Sequence, residues 1–129
     1  MAYKRRTDTY DLTPEALTTV ANGEEELAVA ATETAAWARF EGLVEADQPV
    51  TVHVCQGLKT GDGSSRSHWA GADHRPATEA DSALGEGSGL YTACWSVIAA
   101  CGKVAVFVEN DSGSEATVTY CEARLKGLT

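Results

Sequence analysis

Basic residues are scarce in this sequence: 129 residues carry 10 Lys+Arg against 19 Asp+Glu, a formal net charge of −9. A surface of that sign repels phosphate backbones and anionic headgroups, so no specific nucleic acid is expected as a partner. Also missing is any stretch of the ~18 or more apolar residues that a bilayer-crossing helix needs. The longest apolar segments, around residues 94–101 and 104–108, are strand-sized, and no membrane partner is expected. The opening MAYKRRTDTYDLTPEAL has Lys4, Arg5 and Arg6 but no apolar run behind them, so the reading predicts no signal peptide and assembly in a host cytoplasm. No segment sustains a 3.6-residue apolar period, which excludes a helical architecture. No cysteine stands in a C-x-x-C pair, which removes the spacing of a thioredoxin-like or zinc-ribbon site.

What is present describes an ordinary globular chain. Hydrophobic content of 43% and charged content of 22% argue against wholesale disorder. The length suits one domain that buries roughly two-thirds of its unfolded surface. Cys55, Cys94, Cys101 and Cys121 admit three pairings, and spacing does not choose among buried thiols, disulfides and metal ligation. All four lie in or beside apolar β-like runs, which suits the small-hydrophobe role.

Along the chain, residues 1–22 read as an N-terminal arm. It is extended and polar at first, with Tyr3, Tyr10 and the basic cluster, and residues 14–21 could form a helical turn before the Asn22-Gly23 break. Residues 23–129 read as the β-domain. Strands are expected over 26–31, over 36–46 with Phe40, Gly42 and Val44 on one side, and over 50–56 with Val50, Val52 and Val54 on one side. Asp47-Gln48-Pro49 reads as the turn of a hairpin joining the last two. Residues 57–89 are glycine-rich and read as a long irregular loop with a short strand near 67–70 anchored by Trp69. Runs 90–99, 103–109 and 116–125 complete the set, the last two flanking an Asn110-Asp111-Ser112-Gly113-Ser114 turn that reads as the best hairpin. Six or seven strands without a long helix predict an all-β fold, an antiparallel β-sandwich of jelly-roll or small-barrel type with an extended N-terminal arm.

Chemistry is thinly signalled. Gly57-Leu58-Lys59-Thr60-Gly61 lacks the spacing and the following helix of a phosphate loop. A metal site could use His53, His68 and His74, with Asp73 beside the last, yet no H-E-x-x-H or H-x-H pair links them, and exposed loop histidines are the plainer reading. His53 and Cys55 share a strand face, and Ser64, Ser65 and Ser67 neighbour His68, but no nucleophile elbow is present. Glu24-Glu25-Glu26 reads as a solvated run, and Glu41 and Glu45 lie ~13 Å apart along a strand, too far to act as an acid pair. Asp62, Asp111 and turn carbonyls could hold calcium, yet no EF-hand loop is present. Asn110-Asp111-Ser112 fits a glycosylation sequon but reads better as turn chemistry. The sequence predicts no catalytic residue, no cofactor and no metal.

Two segments remain as candidate binding elements. Lys4, Arg5, Arg6 and Tyr10 form a basic arm on an acidic body, suited to docking on an acidic neighbour. His68, Trp69, His74 and Arg75 mark a possible recognition loop, and Trp69, Tyr91 or Trp95 could serve a glycan as a flat platform. Trp37, Trp95 and Phe107 read more simply as core.

The strand AAWARFEGLVEADQPVTVHVCQ, the Trp-bearing loop SSRSHWAG and the ending GKVAVFVENDSGSEATVTYCEARL together resemble small β-sandwich virion proteins of tailed bacteriophages and archaeal viruses, of the decoration, turret or fibre-attachment type. The resemblance spans about three-quarters of the chain. It implies a structural virion protein, a capsid decoration or head/tail accessory subunit, whose partners are its own copies and a neighbouring capsid or tail protein. It implies no catalytic residues. A carbohydrate-binding sandwich module, with a glycan as partner, is the alternative expectation.

Overall fold

The computed structural model describes residues 9–13, 19–35, 37–81, 87–99 and 102–127. Period-two alternation dominates these residues, and they form strands β1 (Thr9–Asp11), β2 (Thr19–Val20), β3 (Glu25–Glu33), β4 (Arg39–Ala46) and β5 (Thr51–Leu58). After a short 3-10 turn at Arg66–His68 come β6 (Trp69–Pro76), β7 (Thr78–Asp81), β8 (Gly87–Ile98), β9 (Lys103–Glu109) and β10 (Ala116–Lys126). Every pairing is antiparallel. One sheet runs β1-β10-β4-β8-β7, with β2 also on β10; the other runs β3-β9-β5-β6. The protein is an all-β sandwich.

The core lies between the sheets. Phe40 and Val44 of β4, Trp95 of β8 and Leu125 of β10 meet Val52 and Val54 of β5 and Val104, Val106 and Val108 of β9. Phe40 and Trp95 rings pack at 5.6 Å. β-branched valines suit a pleated surface covered on its inner side, and each fully buried one contributes about 1.5–3 kcal/mol.

A second, smaller cluster sits on the outside of the four-stranded sheet. Cys55, Ala105, Phe107 and Trp69 are buried there with Leu27, Ala31 and Leu58 against them. The roof is the 59–68 connection. Gly63, at φ +84°, lies so close to Ala31 and the Trp69 ring that a side chain there would meet both, and the Trp69 indole N–H donates to the Gly63 carbonyl. Because this sheet is covered on both faces, β9 is buried continuously from Val104 to Val108 instead of alternating.

The structure corrects several expectations. The Asp47-Gln48-Pro49 and Asn110–Ser114 turns do not close hairpins: β4 and β10 belong to one sheet, β5 and β9 to the other. Both turns are arches between sheets, because each flanking strand must present its apolar face to the same core from opposite sides. The side chain of Asn110 is buried and holds its arch by donating to the carbonyls of Val20 (2.9 Å) and Ser114 (2.7 Å). The stretch expected to be irregular contains β6, β7 and the start of β8: pairing to β5 overrides the poor strand propensity of WAGADHRP in β6, and β7 pairs with β8. The segment assigned to an arm is partly sheet: Thr9–Asp11 and Thr19–Val20 pair with β10, and Leu12 N–H donates to the Ala123 carbonyl. Tyr10 is exposed but packs edge-on against Trp37 at 6.1 Å, within its own subunit. Lys4, Arg5 and Arg6, most of the expected helical turn at 14–21, and Cys101 lie outside the described residues.

Candidate functional site

Among the described residues, a cluster of ionisable side chains stands at the end of the roofed face of the four-stranded sheet. Strand register builds it. Glu25 of β3 lies directly opposite Glu109 of β9, and His53 of β5 lies opposite His74 of β6. Carboxylates placed opposite each other across a strand pair repel, so the arrangement requires a cation. Arg66, carried over the face by the 59–68 connection, supplies one: its Nε donates to Glu25 Oε1 at 2.5 Å and its guanidinium lies 3.7 Å from Glu109 Oε2.

His53 is the buried centre of the group, 4% exposed. Its Nε2 lies 3.0 Å from Glu109 Oε1 and 3.9 Å from Glu25 Oε1, and its Nδ1 lies 2.6 Å from His74 Nδ1. For a neutral ring, one arrangement of hydrogens satisfies both ends. Nε2–H donates to Glu109, and Nδ1 accepts from the Nδ1–H of His74. Burial pushes His53 below the ordinary imidazole value, and the hydrogen bond to Glu109 offsets only part of that effect. The exposed His74 is thereby coupled through a buried imidazole to a carboxylate pair.

Of the expected recognition residues, only His74 joins this cluster. Arg75 lies on the same strand and pairs with Asp73 (2.7 Å). His68 is half-buried, accepts from the Gly63 N–H at 3.2 Å and stands 3.6 Å from Asp62. Trp69 is only 5% exposed, so it offers no open face to a sugar; it is a wedge that holds the roof down. Trp95 is buried in the main core as well. The four residues therefore do not form one loop, because the chain becomes strand β6 after His68. The sequence reading places Glu25 only in a solvated acidic run, which its pairing with Arg66 within the cluster corrects, and does not single out Glu109. Their shared signal is position: each sits at the polar end of an apolar strand, and only the non-local β3–β9 pairing makes them neighbours.

Cys55, Cys94 and Cys121 are free thiols. Burial pushes the Cys55 and Cys121 thiols up to about 11, which keeps them protonated and poor as nucleophiles at neutral pH. Cys94 is exposed on the outer face of the six-stranded sheet. An aromatic disulfide reagent at pH 8 is therefore expected to label Cys94 in the folded protein and to reach Cys55 and Cys121 only after denaturation. Peptide mapping by mass spectrometry checks this; equal labelling of Cys55 and Cys94 under native conditions would contradict the roofed face. Among the described residues, no helix is long and apolar enough to cross a membrane. Compared with known protein families, with curated proteins and with solved structures, the chain matches none.

Proposed function

We propose that the protein is a non-enzymatic structural subunit that assembles with copies of itself and with a neighbouring protein, as a decoration or head/tail accessory subunit of a virion. The virion setting comes from the resemblance of its strand grammar to such proteins. The observation that carries the assembly role is an unguarded stretch on the edge of the four-stranded sheet. Among the described residues β6 pairs only with β5, keeps a continuous register along it, and exposes Ala70, Gly71 and Ala72. This small, uncharged stretch invites a strand from another chain, whereas Asp73, Arg75 and Pro76 guard the rest of β6.

The opposite edge is built differently. β3 carries two register shifts along β9 and bears Glu25, Glu26 and Glu33, with Glu24 just before it, features that discourage pairing. Ile98, 64% exposed, lines a shallow groove with Ala70 and Gly71 and adds apolar area beside the open edge. Lys4, Arg5 and Arg6 remain suited to an acidic neighbour, which another copy of this −9 chain would be.

Light scattering on the full chain tests the reading. A mass that is a multiple of 13.6 kDa is expected. The double variant Ala70→Lys/Ala72→Lys, which places charge on the open edge, should shift the protein toward monomer. Deleting residues 1–8 should weaken assembly without unfolding the sheet, because β1 begins at Thr9. A wild-type chain that stays monomeric across its accessible concentration range would overturn the proposal.

A further inference from the structure

Nothing in the assembly role uses the Glu25–His53–Glu109 group, and its geometry points to a different capacity. We propose that Glu25, His53 and Glu109 form a binding site for a divalent metal ion of zinc's chemistry, with Arg66 as its built-in competitor and His74 as the outer partner of the ligating imidazole.

The donor set comes first. One imidazole nitrogen and two carboxylate oxygens, all within 4.8 Å of one another, make a three-ligand nitrogen–oxygen site. That composition suits zinc and its first-row neighbours and leaves a further position for water. An ion with bonds of about 2.0–2.2 Å holds tetrahedral donors about 3.3–3.5 Å apart. The His53 Nε2 distances of 3.0 Å to Glu109 and 3.9 Å to Glu25 bracket that range. Closing the set needs movement of the two partly exposed carboxylates and withdrawal of the Arg66 guanidinium that bridges them.

The surroundings fit the same reading. A ligating histidine is usually oriented by a hydrogen bond at its other nitrogen, and His74 provides that bond at 2.6 Å. Metal binding reverses the direction of the chain of protons. The Nε2 proton of His53 leaves to solvent and the freed lone pair binds the ion. The Nδ1 proton of His74 passes to His53 Nδ1, and His74 takes up a proton at its own Nε2. Both rings stay neutral, and no net proton is consumed. Charge balances too: the carboxylate pair carries −2, which Arg66 half-neutralises and a divalent ion neutralises fully.

Arg66 occupies the cation's place with its side chain 34% exposed, so it is free to swing outward when an ion arrives. Competition by Arg66 separates a metal site from a merely structural ion-pair network. Zinc titration of the full-length protein, read by calorimetry and by the ring 15N signals of His53 and His74, tests it. Excess zinc is expected to shift both rings to the reversed tautomers, a change that zinc held by exposed thiols does not produce. Arg66→Gln should tighten zinc binding about tenfold, and His74→Ala should weaken it by about 10–100-fold, the usual cost of losing a ligand's outer hydrogen bond. Glu25→Gln/Glu109→Gln should abolish the His53 response. The proposal is overturned if the His53 signal ignores excess zinc in both wild type and Arg66→Gln. It is equally overturned if Arg66→Gln leaves affinity unchanged, or if the double glutamine variant binds as tightly as wild type.

Discussion

Replacing Gly42 by alanine is expected to cost about 3 kcal/mol of stability, although it adds a single methyl group to an ordinary strand position. Gly42 lies in β4 between Trp95 of β8 and Ala123 of β10. A Cβ at this position would overlap the carbonyl oxygen of Glu122 and the benzo ring of Trp95. Neither yields easily. The carbonyl belongs to a paired strand, and the indole is 3% exposed and packed on Phe40. Among the described residues the buried indole N–H has no hydrogen-bond partner, so the ring contributes here through its apolar area and shape. Trp95→Phe in the Gly42→Ala background should recover part of the loss, because the smaller ring withdraws while the Glu122 carbonyl stays. Urea unfolding of the three variants measures this. A loss below about 1 kcal/mol for Gly42→Ala would mean that the strands do not approach as closely as described.

Asn110→Ala is expected to cost a comparable amount, about 3 kcal/mol, for a different reason. Asn110 is fully buried, and its side chain donates to Val20 and Ser114 and accepts from the Ser112 N–H at 3.0 Å. Its backbone also bonds Glu24 and Gly23. One residue thus ties together β2, the turn before β3 and the arch into β10. Truncation leaves the partners on the exposed side of the arch to water, but the carbonyl of the buried Val20 loses its donor with no replacement. Asn110→Asp should be no better, since a carboxylate cannot donate to either carbonyl and would be buried with its charge uncompensated. Ser112→Ala, at the rim of the same turn, should stay within about 0.5 kcal/mol. Thermal or urea denaturation distinguishes the three; an Asn110→Ala protein as stable as Ser112→Ala would remove the welding role.

Strand positions were legible because their causes are local. The alternation of Phe40, Gly42 and Val44, and of Val52 and Val54, follows from one buried face. Sheet membership was not legible, because a turn such as Asn110–Ser114 looks the same whether its flanking strands pair or part. The unbroken apolar run from Val104 to Val108 held more information than the hairpin reading used. Five consecutive buried residues require cover on both faces, and hence something lying over the outer one. The candidate site was half legible. His53 and His74 stood out as chemistry-bearing residues, whereas Glu25 and Glu109 become a pair only through a register set far apart in sequence. Trp69 was legible as a strand anchor but not as a roof-holding wedge: a tryptophan in a glycine-rich stretch also looks available to a ligand until the roof that closes on it is known.

Strand β10 has a consequence for the order of events in making the protein. It is the partner of β1, β2 and β4, so β1 and β2 have no strand to join, and β4 keeps one edge open beside β8, until residues 116–126 have left the ribosome. Pairings this distant delay closure and leave strand edges bare in the meantime. The nascent chain therefore cannot complete its larger sheet piecemeal during synthesis, and the interval before β10 arrives is when this protein is most exposed to mispairing with its sister chains.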